Sequence, residues 1–219
     1  MASIAKEVWK AIESDVIIRR AIGKNIVSMK NLAVHLIEKH HIQAAPDAII
    51  SAIRRYRDEN PLEKKIATAK RIAGQSEEIR ITSNIVGIDI EKSSETQDLL
   101  PRAFHQVNYG KGEILIVIQG ESTIKLMLNE KNKHKVLECF PKKSVLAIKE
   151  HLAEVNIKLK QEAANTPGIL SLLSTELMTH DINVSEVVSC LPEMLFFVEQ
   201  KDVVKSYEVL FNLCQARPQ

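Results

Sequence analysis

The stretch of sequence that decides the fold begins with Asn-Thr-Pro-Gly-Ile-Leu at residues 165–170. Apolar residues recur at helical spacing through residues 169–179, directly after the Pro-Gly pair. Asp-Ile-Asn-Val at residues 181–184 then opens an alternating run that continues to residue 191. The stretch therefore predicts a loop, a helix and a strand, in that order.

The flanking residues extend this pattern on both sides. Residues 155–159 alternate and predict a strand before the loop, and the compact apolar segment 194–198 predicts a further strand. Residues 201–214 return to helical spacing. The resulting order is strand, helix, strand, strand, helix.

This order, with a Pro-Gly pair at a strand-to-helix junction, resembles an ACT domain, the small regulatory module that binds amino acids in metabolic enzymes and regulators. Proline suits a first helical turn, where its missing N–H would be unpaired anyway. Gly168 lets a ligand approach the backbone closely. The resemblance implies that the carboxylate of a small amino acid meets the free N–H groups of that turn. Many ACT domains only mediate assembly, so a purely structural loop is the alternative.

The residues expected to bind the ligand belong to the loop, the first helical turn and the start of the following strand. They are Asn165, Thr166, Pro167, Gly168, Ile169, Leu170 and Asn183. Within the resemblance, Asn165 or Asn183 would take the amino group of the ligand.

The same order of elements occurs once before, over residues 78–148. Strand-like residues 78–91, which Asn84 divides into two possible strands, precede a predicted helix over 95–107. Two strands, a short helix and a strand at 145–148 follow, so the body of the chain reads as a tandem βαββαβ repeat. The first copy has Ser-Ser-Glu where the second has Asn-Thr-Pro-Gly, and we expect it to be structural.

The second copy ends without a fourth strand, because only five residues follow Cys214. The tandem pair in the regulatory region of aspartokinases resembles this arrangement, and there a strand ahead of the first ACT unit completes the second. Residues 78–82 are the candidate here. An uncovered sheet edge would otherwise invite aggregation.

The N-terminal residues predict a helical head with helix-turn-helix character. Apolar spacing and N-cap residues indicate several helices, of which 28–39 and 47–58 would be the supporting and recognition helices. This resembles a winged helix, although no β-wing is recognisable after the fourth helix. Residues 1–75 hold 14 Lys/Arg against 8 Asp/Glu, so the head is basic and the body acidic.

A basic head suggests an anionic partner, and double-stranded DNA is one candidate. The residues expected to contact phosphates or bases are Arg19, Arg20, Lys30, Arg54, Arg55 and Arg57. Charge runs usually just solvate a helical bundle, which is the alternative.

No signature of an enzyme occurs in the sequence. Nucleophile-elbow, zinc-protease and nucleotide-binding glycine motifs are all missing, and the three cysteines form no metal-binding spacing. We therefore expect no catalytic residues, no metal and no cofactor. The sequence contains no apolar run of the length of a membrane span and no signal-peptide core, which predicts a cytoplasmic protein without a membrane partner.

The predicted fold class is α+β: a winged-helix-like helical domain followed by tandem ferredoxin-like ACT domains. The expected divisions are a head at 1–60, a connecting helix at 61–75, and ACT-like domains at 76–151 and 152–219. The predicted function is a ligand-responsive regulator that binds a small amino acid and, through its head, DNA. The alternative is a non-catalytic regulatory or interaction subunit of an amino-acid biosynthetic enzyme. Either would assemble as a homodimer or higher homo-oligomer through the ACT sheets.

Overall fold

A computed structural model describes residues 3–56 and 62–215 of the 219-residue chain. The chain divides into two compact units, Met1–Thr68 and Ala69–Gln219. Helices make up the described part of the first unit, and a six-stranded antiparallel sheet with helices forms the second. The protein is therefore a mixed α and β protein, as predicted.

The first unit contains four helices ahead of the segment outside the described residues. They are α1 (Ile4–Glu13), α2 (Val16–Gly23), α3 (Met29–His40) and α4 (Pro46–Arg55). The Asp15 carboxylate caps α2 by accepting the N–H groups of Ile17 and Ile18, and the Ser28 hydroxyl caps α3. Apolar residues at helical spacing on all four helices meet in one core that includes Val8 and Leu36.

The predicted recognition helix is shorter than expected. Helix α4 ends at Arg55, because Tyr56 turns into extended backbone and is buried in the core of the unit. The structure has no strand in residues 3–56 or 62–77, so the described part of the head offers no wing. A winged helix is therefore not supported.

The remaining helices and the strands alternate along the rest of the chain. The helices are α5 (Leu62–Ala73), α6 (Ser94–Phe104), α7 (Lys133–Leu137), α8 (Ile169–Thr179) and α9 (Val203–Gln215). The strands are β1 (Glu78–Glu91), β2 (Leu115–Gln119), β3 (Thr123–Asn129), β4 (Val145–Lys158), β5 (Val184–Cys190) and β6 (Glu193–Glu199). The strand order in the sheet is β2-β3-β1-β4-β6-β5.

Two long central strands join what the sequence predicted as separate segments. Strand β1 continues across Asn84, and β4 unites the strands predicted at 145–148 and 155–159; each is 14 residues long. Asn84 and His151 both have φ of 57°, in the left-handed region that interrupts a regular strand. Each long strand is therefore continuous and has a bend near its middle.

The bends divide the β1–β4 ladder into two halves with different outer neighbours. Before its bend, β1 pairs with β4 through Ile79 opposite Ile157 and Ile81 opposite Val155. Val155 also lies opposite Phe196 of β6, and Phe196 lies opposite a residue of β5. After its bend, β1 pairs with β3 as well as with β4. Residues 78–82 therefore complete the half of the sheet that contains β5 and β6.

The helices cover one face of the sheet with two apolar cores. Helices α6 and α7 pack on the half that contains β2 and β3, around Ile88, Leu126 and Val136. Helices α8 and α9 pack on the half that contains β5 and β6, around Phe196 and Leu173. Because side chains alternate between the two faces of a strand, Ile88, Leu126 and Phe196 point to the helix side.

The opposite face of the sheet is curled onto itself. Its buried cluster consists of Ile85, Met127, Leu152, Leu195 and Phe197, with Ile114, Ile116 and Val188 packed against it. Residues of the outermost strands, β2 and β5, reach the same cluster, which shows that the sheet is curled. The Lys125 ammonium of β3 lies 2.7 Å from the Glu186 carboxylate of β5, which ties the two halves together across this face. We call this cluster the back-face core.

The bend at His151 gives a test of the two-part ladder. His151→Ile should lower the free energy of unfolding by about 1–2 kcal/mol, because a β-branched residue is strained at positive φ. His151→Gly should be close to neutral, because glycine adopts this conformation freely but loses more entropy on folding. Urea unfolding of both variants and the wild type measures the difference. Equal stabilities of the two variants would contradict a left-handed bend at this position.

Candidate ligand-binding site at the start of helix α8

The loop between β4 and α8 folds against the turn between β5 and β6. The N–H of Leu159 donates to the carbonyl of Pro192 at 2.8 Å, which fixes the start of the loop. A short 3-10 helix, Gln161–Asn165, follows, and Ala163 anchors it in the core beneath α8. The Thr166 hydroxyl donates to the Glu162 carbonyl at 2.7 Å. Internal hydrogen bonds thus hold the loop in one shape.

Gly168 is the N-cap of α8, and Pro167 precedes it. The prediction placed Pro167 in the first helical turn, but the helix begins at Ile169, one residue after the glycine. Gly168 has φ of +94°, which side-chain-bearing residues rarely adopt, and a Cβ there would lie 3.8 Å from the Cβ of Ala69. Glycine is therefore required by backbone conformation and not by lack of space.

No side chain caps the start of α8 in the described residues, because Gly168 has none to offer. The first-turn N–H groups of a helix have no partner within the helix and carry the positive end of its dipole. Asn165, Pro167 and Gly168 are exposed around them. An anionic group such as a carboxylate fits this position chemically.

The corresponding helix of the other half of the sheet, α6, has a side-chain cap at its start. Ser93 and Thr96 form a capping box at the start of α6: the Ser93 hydroxyl accepts the Thr96 N–H, and the Thr96 hydroxyl accepts the Ser93 N–H at 2.8 Å. A bound carboxylate would therefore find fewer free N–H donors at the start of α6 than at the start of α8.

The two apolar residues of the predicted site differ in their surroundings. The Ile169 side chain is 4% exposed and belongs to the core under α8, so only its backbone N–H can serve a ligand. The Leu170 side chain is 47% exposed beside the helix start.

Asn183 lies at the other end of the sheet from this loop. It precedes Val184, which lies opposite Val198, and Val198 lies opposite Ala153 near the start of this half of β4. The loop follows Lys158 at the end of the same strand, about 17 Å away at ~3.3 Å per residue. One copy of the chain therefore does not bring Asn183 to the loop.

The predicted nucleic-acid contacts that the structure describes differ in exposure and in their partners. Arg20 is paired with Glu63, with 3.0 Å between Nε and Oε1. Arg54, Arg55 and Lys30 are exposed, and Arg55 donates from Nε to the carbonyl of Ser51. Arg19 is half-buried. Arg57 lies outside the described residues.

Sequence reasoning missed the most unusual polar residue of the sheet, Glu154. This carboxyl lies in β4 on the same face as the back-face core and is 4% exposed. Glu154 directly precedes the strand predicted at 155–159, so no sequence signal indicated that it is buried. Burial, and secondarily the nearby Glu193, raises the pKa of Glu154 to about 7.

Comparison with known proteins gives a structural answer but no sequence match. No family profile and no curated protein matches the sequence. The fold is similar to that of aspartate kinase regulatory subunits. The Thermus flavus regulatory subunit matches with a TM-score of 0.52 and 9% identity, over 64% of this chain and 98% of that one. The ligand-free Thermus thermophilus subunit matches with a TM-score of 0.51 and 10% identity, over the same shares of the two chains.

A longer chain matches in the same way. The aspartate kinase of Clostridium acetobutylicum has a TM-score of 0.51 and 18% identity, over 64% of this chain and 34% of that one. The present chain thus spans about a third of that enzyme's length. At these identities the similarity concerns the fold alone.

Two further observations concern membranes and metals. Every helix among the described residues is too short or too polar to cross a membrane. Residues 3–56 and 62–215 contain no cluster of three or more His, Cys, Asp or Glu side chains able to bind a metal ion.

The cap of α6 can be tested by removing one hydroxyl. Ser93→Ala should lower the free energy of unfolding by about 1 kcal/mol, because it leaves a first-turn N–H without its acceptor. Ser94→Ala, one residue along and without a capping role, is the control and should cost much less. Chemical denaturation of both variants checks this, and equal losses would show that the hydroxyl of Ser93 is not the cap.

Proposed function

We propose that this protein is a non-catalytic regulatory module that binds a small amino acid at the start of α8 and acts on an amino-acid biosynthetic enzyme as its partner. The observation that carries the proposal is the open, uncapped N-terminus of α8, shaped by Gly168 at positive φ. The start of α6 in the other half carries a capping box, so the uncapped helix start occurs in only one of the two described halves.

The proposed architecture is a tandem pair of ferredoxin-like βαββαβ units. The first unit, 76–151, would comprise β1 after its bend, β2, β3 and β4 before its bend. The second, 152–219, would comprise β4 after its bend, β5 and β6, with residues 78–82 as its fourth strand. The pairing of Ile79 and Ile81 with β4 supports this arrangement. The head at 1–60 and the connecting segment at 61–75 would precede it.

The ligand would be held by backbone and loop groups. Its carboxylate would accept hydrogen bonds from the free N–H groups of Gly168, Ile169 and Leu170. The helix dipole favours a negative charge at this position. Asn165 would bind the amino group, and Thr166 and Pro167 would shape the rim. Asn183 could join the site only from a second copy of the chain, because the register separates it from the loop within one copy. A homodimer or higher homo-oligomer built through the sheets is therefore part of the proposal.

A transcriptional role through DNA binding is not supported. The described head shows no wing, and one of the predicted contacts, Arg20, is engaged by Glu63. The alternative of a regulatory or interaction subunit needs only the sheet-containing unit. It is the reading that the similarity of fold favours.

The ligand site can be tested with free amino acids. Addition of the right amino acid should raise the melting temperature of the full chain, because a ligand that binds the folded state stabilises it. Gly168→Ala should abolish this shift, because the alanine side chain strains the backbone that presents the N–H groups. Differential scanning fluorimetry with each proteinogenic amino acid makes the measurement.

The matched control is Gly112→Ala. Gly112 also has positive φ, at +72°, with no atom within 4 Å of an added Cβ, so the variant carries similar strain away from the loop. Both variants should melt earlier, but Gly112→Ala should keep the ligand shift. If no amino acid shifts the wild type, the ligand claim fails. A shift that survives Gly168→Ala would place the site elsewhere. Light scattering on the same samples determines the oligomeric state.

A further inference from the structure

The back face of the sheet contains one carboxyl group in an apolar setting. Glu154 lies opposite Thr82 of β1 and opposite Phe197 of β6. Residues directly opposite each other in a sheet share a face, so Glu154 is beside Phe197 of the back-face core. Glu154 is 4% exposed.

This carboxyl has no partner among the described residues. Its Oε2 is buried without a hydrogen bond, and so is Oδ1 of Asn156 on the same strand. Glu113 shows the opposite case: the Asn108 N–H, Lys131 and Asn132 lower the pKa of its carboxyl to about 2. A buried carboxylate without such donors is destabilising, and the neutral acid is favoured.

The charged groups around this face do not compensate Glu154. The charged residues of the surrounding strands on this face are Glu78, Arg80 and Asp89 (β1), Lys125 (β3), Lys149 and Lys158 (β4), Glu186 (β5), and Glu193 and Glu199 (β6). The cations among them are engaged elsewhere: Arg80 pairs with Glu78, Lys158 with Glu77, and Lys125 with Glu186 and Asp89. Lys149 donates to the Ser185 hydroxyl, and Glu199 pairs with Lys201. Glu193 accepts from Asn156 at 3.4 Å and repels a charge on Glu154.

The position of Glu154 links it to the bends of the long strands. Its neighbour Thr82 is two residues from Asn84, and Glu154 is three residues from His151. The register between β1 and β4 shifts directly after Thr82. The carboxyl therefore lies where the two halves of the sheet diverge and where their back faces begin to pack together.

We propose that Glu154 is a proton-controlled latch between the two halves of the curled sheet. The neutral carboxyl allows the back-face core to close, and its ionisation puts an unpaired charge into that core and loosens it. The switch is independent of the proposed amino-acid site, because it uses the opposite face of the sheet from α8.

The direction of the pH dependence follows from the pKa. The pKa of Glu154 is raised from 4.5 to about 7 in the folded protein, so the folded state binds more protons than the unfolded state between these values. The contribution of Glu154 to the free energy of unfolding is fully present below pH ~4.5 and is lost as the pH rises through about 7.

The experiment compares wild type with Glu154→Gln in the full chain from pH 5 to pH 8.5. Between these limits the unfolding equilibrium constant of the wild type should rise on the order of 100-fold more than that of Glu154→Gln. At pH 8, amide hydrogen exchange in β2 and β5 should be faster in the wild type than in the variant, and at pH 5.5 the two should agree. Glu121→Gln, at the exposed turn between β2 and β3, is the control and should follow the wild type.

Two outcomes would overturn the latch. One is a stability difference between wild type and Glu154→Gln that is the same at both ends of the pH range, which would assign a packing role only. The other is equal hydrogen exchange in β2 and β5 at pH 8. If Glu154→Gln does not fold, Glu193→Gln replaces it: removing the neighbouring charge should move the midpoint of the wild-type pH transition to lower pH, and an unmoved midpoint contradicts the proposal.

Discussion

The ladder between β1 and β4 is the constraint on which the rest of the sheet-containing unit depends. These two strands lie at the centre of the strand order and are each twice the length of the longest of their neighbours. Every other strand is attached to one of them directly or through one intermediate. Because each long strand changes direction once, at Asn84 or His151, one ladder serves two differently oriented halves. The curl that buries the back-face core is a result of this arrangement.

The two halves have the same order of elements but different chemistry at their first helices. In one half the Ser93 hydroxyl accepts a first-turn N–H of α6, and the Thr96 hydroxyl accepts the N–H of Ser93. In the other a glycine leaves those of α8 open to solvent. Since a helix start of this kind favours anions, this difference is the reason that ligand binding is proposed for one half only. The loop before α8 is held by its own hydrogen bonds, so the open position exists before any ligand arrives.

Much of this fold could be predicted from the sequence, because helical and alternating spacing are local signals. The helix after Pro167-Gly168, the strand after Asp181 and the duplicated order of elements all appear in the structure. The continuity of β1 and β4 was not predictable, because Asn84 and the polar residues 149–151 interrupt the apolar pattern, whereas the ladder between the two strands continues past them. The distance between Asn183 and the loop was missed for a similar reason: adjacency in a motif says nothing about which end of a strand a residue occupies. The burial of Glu154 depends on the curl of the sheet, and no local pattern reveals it.

The pairing of residues 78–82 with the far half of the sheet also determines how the chain can be made. During synthesis, β1 leaves the ribosome long before β4 and β6. Residues 78–82 of β1 therefore have no strand to pair with until β4 has been made. Neither half is a separable piece of the polypeptide, and a cut between β3 and β4 would strip both of a strand. The two halves of the sheet can therefore be completed only together.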